Sequence, residues 1–147
     1  MKYLNQWLTL LCVATTLVIP RDFPQKQRFR ISWYNPALGG TNCYPTNWQD
    51  NKCVSQLYGK PWEAWLNIGA ACTENHALGT KLYLARLNRV VLCVDRGGAI
   101  KVLSDGTQFI DLLQNDAPYI RDWKVGIIKD KFCPSGCYVT EGWVVEK

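Results

Sequence analysis

Two aspartates stand where acid–base chemistry is possible. Asp111 lies inside the apolar run Phe109-Ile110-Asp111-Leu112-Leu113, and Asp95 ends the run Val90-Val91-Leu92-Cys93-Val94, just before Gly97-Gly98. A carboxylate among apolar residues is costly to bury in its ionised form. It must be hydrogen-bonded, paired, or keep its proton to higher pH, and the last is what a general acid near neutral pH needs. Purely structural roles compete with this reading. Asp111 would cap a helix starting at Leu112, and Asp95 would bond the Gly97 and Gly98 amides in a turn.

Other chemistries find little support. His76 is the only histidine and sits in the polar turn Glu74-Asn75-His76, without a Ser-His-Asp arrangement around it, so a structural or surface role is expected. Gly97-Gly98 follows a strand but lacks a phosphate-cradling glycine pattern. Seven cysteines occur, and six of them (Cys43, Cys53, Cys72, Cys93, Cys133, Cys137) lie beyond residue 30. An even set in the body of a short chain reads as a disulfide framework. Proximity suggests Cys43–Cys53 and Cys133–Cys137, which leaves Cys72–Cys93, although sequence alone leaves other connectivities open. Cys133-Pro-Ser-Gly-Cys137 has zinc-like spacing but no second Cys/His pair to complete a site. No metal and no organic cofactor are implied.

The elements that would hold these residues are short strands. Residues 29–34 (FRISWY) alternate in strand fashion and end at Asn35-Pro36. Residues 37–60 form a long loop rich in Gly, Asn, Pro and Thr, which a Cys43–Cys53 bridge would staple. Residues 61–71 (PWEAWLNIGAA) suggest a short helix with Pro61 at its first position. Strands are expected at 81–84 and 89–94, an apolar run around Asp111 at 109–113, and a short helix over 112–120 ended by Pro118. Closing strands over 123–128 and 138–145 flank the Cys133–Cys137 turn. Many short strands with turns between them predict a mainly β fold, a small disulfide-stapled β-barrel with short helices.

The chain has 147 residues, 48% of them hydrophobic, and a formal charge of +5 from 17 basic and 12 acidic residues. That is enough for one compact domain. No basic run exceeds two residues, so a dedicated nucleic-acid binder is not expected. The positive balance weakly favours an anionic surface or polymer. Residues 1–20 combine an early Lys2 with an uncharged apolar stretch, and residues 21–28 are polar, the layout of a secretory leader. The apolar stretch is shorter than the roughly 20 residues of a spanning helix. Membrane association is therefore expected only through an uncleaved leader, and the domain itself spans 28–147. Leader and cysteine content together predict a secreted, periplasmic or cell-wall protein, expected to be monomeric.

Asp95-Arg96-Gly97-Gly98-Ala99-Ile100-Lys101, followed by Phe109-Ile110-Asp111-Leu112, resembles the signature of the 3D domain found in membrane-bound lytic transglycosylase A and in resuscitation/stationary-phase wall proteins. Residues 70–81 (AACTENHALGTK) resemble the segment before it. Ser32-Trp33-Tyr34 and Asp95-Arg96-Gly97 also resemble rare lipoprotein A. The similarity covers about residues 31–113. It implies a six-stranded double-psi β-barrel, shared with expansins, and a peptidoglycan lytic transglycosylase cleaving the β-1,4 link between N-acetylmuramic acid and N-acetylglucosamine. Carried over by position, the resemblance makes Asp111 the acid/base and Asp95 its support across the same groove. The family's third aspartate falls at Cys72. The rival expectation is a non-catalytic, expansin-like carbohydrate or wall-binding module in which Asp95 and Asp111 are structural.

Beyond Trp7 the tryptophans are Trp33, Trp48, Trp62, Trp65, Trp123 and Trp143. In a small barrel each is first a core candidate. Trp33 and Trp48 are the expected sugar-stacking residues, with Arg96 and Lys101 facing peptidoglycan carboxylates.

Overall fold

A computed structural model describes residues 24–36, 48–49, 52–115, 127–131 and 133–146. Strands occupy Gln27–Tyr34 (β1), Trp48–Gln49 (β2), Lys52–Cys53 (β3), Gly69–Cys72 (β4), Lys81–Leu84 (β5), Arg89–Asp95 (β6), Gln108–Leu113 (β7), Ile127–Asp130 (β8) and Cys133–Glu146 (β9). The fold is mainly β, and its helical turns are minimal. The leader over residues 1–20, residues 37–47 of the loop expected over 37–60 and the segment 116–126 lie outside the described residues, and the described part of that loop holds the short strands β2 and β3.

Six strands close on themselves in the order β1-β7-β4-β6-β5-β9, with β9 returning to β1, and β8 adds to the outer side of β9. β1 runs parallel to β7 and β4 parallel to β6, while the remaining contacts around the ring are antiparallel. The order is unchanged when β1, β4 and β5 are exchanged with β6, β7 and β9. Two consecutive three-strand halves therefore interlock about an approximate two-fold, the strand order of a double-psi barrel. Closure removes the free sheet edges that a small open sheet would present.

Strand alternation fills the barrel. Phe29 and Ile31, Ala70 and Cys72, Leu82 and Leu84, Val91 and Cys93, and Ile110 and Leu112 form one buried cluster, with every pair two residues apart on its strand. A second cluster lies outside the ring. There Leu57 and Trp65, from the segment that follows β3, pack on Val94 and Leu113, with Tyr34 and Trp62 against them. Backbone bonds from Leu57 N–H to Val94 O, 2.9 Å, and from Asn67 N–H to Leu113 O, 2.9 Å, fasten that cover to the barrel.

Two helix expectations are corrected. Residues 61–71 hold only a 3₁₀ turn, Trp62–Trp65, and then β4. Asn67 adopts φ 66°, which breaks any helix, and all four β4 residues are buried between β6 and β7. The small GAAC side chains suit a strand enclosed on both sides, and tertiary pairing overrides alanine's helix propensity. Leu112 and Leu113 likewise belong to β7, so Asp111 caps no helix.

The strands expected near 29–34, 81–84 and 89–94 are present. Cys72–Cys93 and Cys133–Cys137 are disulfides. Cys53 is also disulfide-bonded, but Cys43 lies outside the described residues. Disulfides suit an oxidising compartment, and no helix among the described residues is long and apolar enough to cross a membrane.

β9 is long because it serves two neighbours in turn, and Gly142 faces both Gln27 of β1 and Leu84 of β5. A Cβ there would meet the Tyr83 carbonyl oxygen at 2.5 Å and the Phe29 ring at 2.9 Å. Backbone on one side and a fully buried ring on the other leave no room to yield. Gly142→Ala is expected to destabilise the domain by about 1–3 kcal/mol in denaturant unfolding. An unchanged midpoint would show that the closure is looser than this packing requires.

Candidate active site

The register of four adjacent strands sets the two aspartates on one row. Ser32 of β1 pairs with Asp111 of β7, Asp111 pairs with Ala71 of β4, and Ala71 pairs with Asp95 of β6. One narrow strand thus separates the carboxylates, placing their backbones about 10 Å apart. Ile110 and Leu112 point into the barrel, so Asp111 between them points out. Asp95 reaches the same outer row through an irregularity in the β4–β6 pairing, where Ala70 opposes Cys93 but Ala71 opposes Asp95. The methyl of Ala71 is the only side chain between them on that row.

Asp111 is half-buried, and the Ser32 hydroxyl donates to its Oδ1. Burial raises its pKa from the ordinary carboxylate range to about 6. Asp95 is buried, and its Oδ1 accepts the Arg96 backbone N–H at 2.9 Å. This contact is with the adjacent Arg96 N–H, where the sequence suggested the Gly97 and Gly98 amides.

The Tyr34 hydroxyl reaches the same place from the end of β1. Burial first, then the nearby charges of Asp95 and Asp111, push its ionisation far above the usual phenol range. The hydroxyl is shut off from solvent, next to Asp95, without completing a hydrogen bond of good geometry.

The remaining expected site residues are more scattered. The Arg96 guanidinium donates to Cys72 O at 3.1 Å and to His76 O at 2.7 Å, tying the end of β6 to the β4–β5 connection. His76 is buried, with its ring 5.9 Å from that of Phe29, so its role is structural rather than surface. Lys101 is exposed in the loop after β6, where its carbonyl accepts the Phe109 N–H. Trp33 is half-buried against the barrel core. The backbone of Trp48 pairs with Cys53, and its side chain lies outside the described residues. Among the described residues no group of three or more His, Cys, Asp or Glu could hold a metal ion.

Ser32 and Tyr34 were not singled out as site residues from the sequence. The alternation of FRISWY carried the signal, because it sets Arg30, Ser32 and Tyr34 on the face opposite Phe29 and Ile31. What it lacked was the parallel partner strand that brings Asp111 alongside.

Fold and site together define a disulfide-bonded six-stranded β-barrel with a carboxylate pair on the outward face of its strands. Compared with known protein families, with curated proteins and with solved structures, the chain shows no significant match.

Proposed function

We propose that the protein is a secreted lytic transglycosylase of the bacterial cell wall, resembling the 3D-domain and rare lipoprotein A enzymes, with Asp111 as its single acid/base. The observation that carries this reading is the placement of Asp111, a half-buried carboxyl on the outward row between Ser32 and Ala71, where burial raises its pKa to about 6. Such a group is protonated often enough near neutrality to give its proton, and basic enough afterwards to take one back. In the reaction, Asp111 protonates the glycosidic oxygen as the C1–O bond breaks. The 6-hydroxyl of the same muramic acid then attacks C1, and its proton returns to Asp111. The product is a 1,6-anhydro end, and no water is consumed. Asp95, on the same row across β4, supports the positive charge that develops at C1. Because one carboxyl serves both steps, the two-carboxylate spacing of hydrolases is not required.

A second reading is favoured by Cys72, which occupies the family's third aspartate position and is committed to a disulfide. On that reading the barrel is an expansin-like module that binds wall polysaccharide, and Asp95 serves its turn.

Mass spectrometry of purified peptidoglycan incubated with the oxidised protein separates the two. Soluble 1,6-anhydromuropeptides are expected. Reducing ends would mean hydrolysis, and protein retained on the sacculus without any product would establish the binding module.

A further inference from the structure

We propose that Tyr34 is the positioning residue of this site, with a hydroxyl that donates to Asp95 and keeps that carboxylate in its ionised form while Asp111 holds the exchangeable proton. The proposal rests on the acid/base reading for its catalytic consequence, but its electrostatic content is independent of any activity.

The argument begins with a buried polar atom that makes no complete hydrogen bond. A phenol cut off from water without a full hydrogen bond carries a desolvation cost, and the Tyr34 hydroxyl is such a group. Its ring is held by packing. Tyr34 lies against the cluster of Leu57, Trp65, Val94 and Leu113, and its carbonyl accepts the Gln114 N–H at 3.1 Å. The hydroxyl is thus delivered to a fixed place. The charged groups facing it are Asp95 from β6 and Asp111 from β7. From the covering segment Leu57, Trp62, Trp65 and Leu66 present no ionisable group, and Ser32 on its own strand is neutral. Arg96 adjoins Asp95, but its guanidinium is directed to the Cys72 and His76 carbonyls.

A phenol in this setting keeps its proton over the whole working range of pH, so it acts as a constant donor. A donor favours the ionised form of the carboxylate that accepts from it. Asp111 already takes its hydrogen bond from Ser32. Asp95, whose Oδ1 also takes the Arg96 N–H, is the carboxylate placed to accept from Tyr34, and a rotation of the phenolic O–H with a small shift of either side chain completes the bond. Two carboxyls on one row are in this way driven apart in role, one charged and one protonated, the separation that acid–base sites require.

Tyr34→Phe keeps the ring and removes the donor. Carboxyl-carbon NMR of the intact, oxidised chain is expected to show the Asp95 titration midpoint moving up by about one pH unit in the variant, with the Asp111 midpoint nearly unmoved. In glycan cleavage the same change raises the acid limb of the pH–rate profile and leaves the alkaline limb in place. A second measurement does not depend on Tyr34→Phe folding. The Cζ resonance of Tyr34 in the wild type should follow the Asp95 titration and lose that step in Asp95→Asn. An unshifted Asp95 midpoint, a shift confined to Asp111, or a Tyr34 resonance indifferent to Asp95 would each overturn the proposal. If the wild type cleaves no glycan, the reading as a transglycosylase fails, and the NMR titrations still decide the role of Tyr34.

Discussion

Asp111→Asn is expected to lose glycan cleavage by a factor on the order of 10²–10⁴, the usual contribution of a positioned acid/base, while unfolding at higher free energy than the wild type at neutral pH. The second half follows from burial. Asp111 titrates at about 6 in the folded chain, against 3.8 for a free aspartate. Below pH 3.8 it is protonated in both folded and unfolded chains and makes no difference to stability. As pH rises toward 6 the unfolded chain releases its proton first, and the folded state loses ground. Above 6 the full penalty is present, on the order of 3 kcal/mol for a shift of about two units. Asparagine has nearly the same shape and no charge. The variant should therefore match the wild type near pH 3.5 and exceed it at pH 7.5, less whatever the altered Ser32 contact costs. Denaturant unfolding at the two pH values checks this, beside the product assay. A variant less stable at pH 7.5 would show Asp111 to be a structural carboxylate that the barrel needs in ionised form.

Much of this arrangement is local in origin, which is why it could be read from the sequence. The alternation of Phe29, Ile31 and Trp33 marks β1, and the β-branched run Val90-Val91 marks β6. The apolar flanks of Asp111 mark a strand that packs closely, and burial there raises the pKa of Asp111. Other features depend on partners far along the chain. Gly69-Ala70-Ala71-Cys72 looks helical by propensity and becomes a strand because β6 and β7 enclose it. Asp95 reaches the row of Asp111 only through the irregular step between Ala70 and Ala71, a property of parallel pairing that no local pattern contains. Arg96 shows the opposite failure. A basic residue beside a candidate catalytic aspartate suggests an anion contact, yet its guanidinium holds two backbone carbonyls. Tyr34 reads as one more aromatic strand residue until parallel pairing of β1 with β7 sets its hydroxyl beside two carboxylates.

Removing the Cys72–Cys93 bridge is expected to cost about 3–5 kcal/mol and to reduce activity under conditions where the domain is still folded. The bridge closes a loop 21 residues apart in sequence, with Cα atoms 5.5 Å apart and both cysteines essentially buried in the barrel core. Loop closure of that length restricts the unfolded chain by about 3 kcal/mol. Truncating the pair to alanine also removes two buried sulfurs from a packed interior, which adds a cavity cost. The functional consequence comes from where the bridge sits. β4 is only four residues long, and Ala71, the spacer between Asp111 and Asp95, is the immediate neighbour of Cys72. The bridge holds β4 to β6 at the step where their pairing is irregular, so it fixes the distance between the two carboxylates as well as the fold. In the double variant Cys72→Ala/Cys93→Ala, unfolding in denaturant should show the loss of stability. Cleavage assayed well below the unfolding transition should then fall while far-UV circular dichroism keeps its β-sheet form. A loss below about 1 kcal/mol would mean that packing alone holds β4 in place. Full activity with the stability loss intact would mean that the carboxylate spacing does not depend on this cross-link.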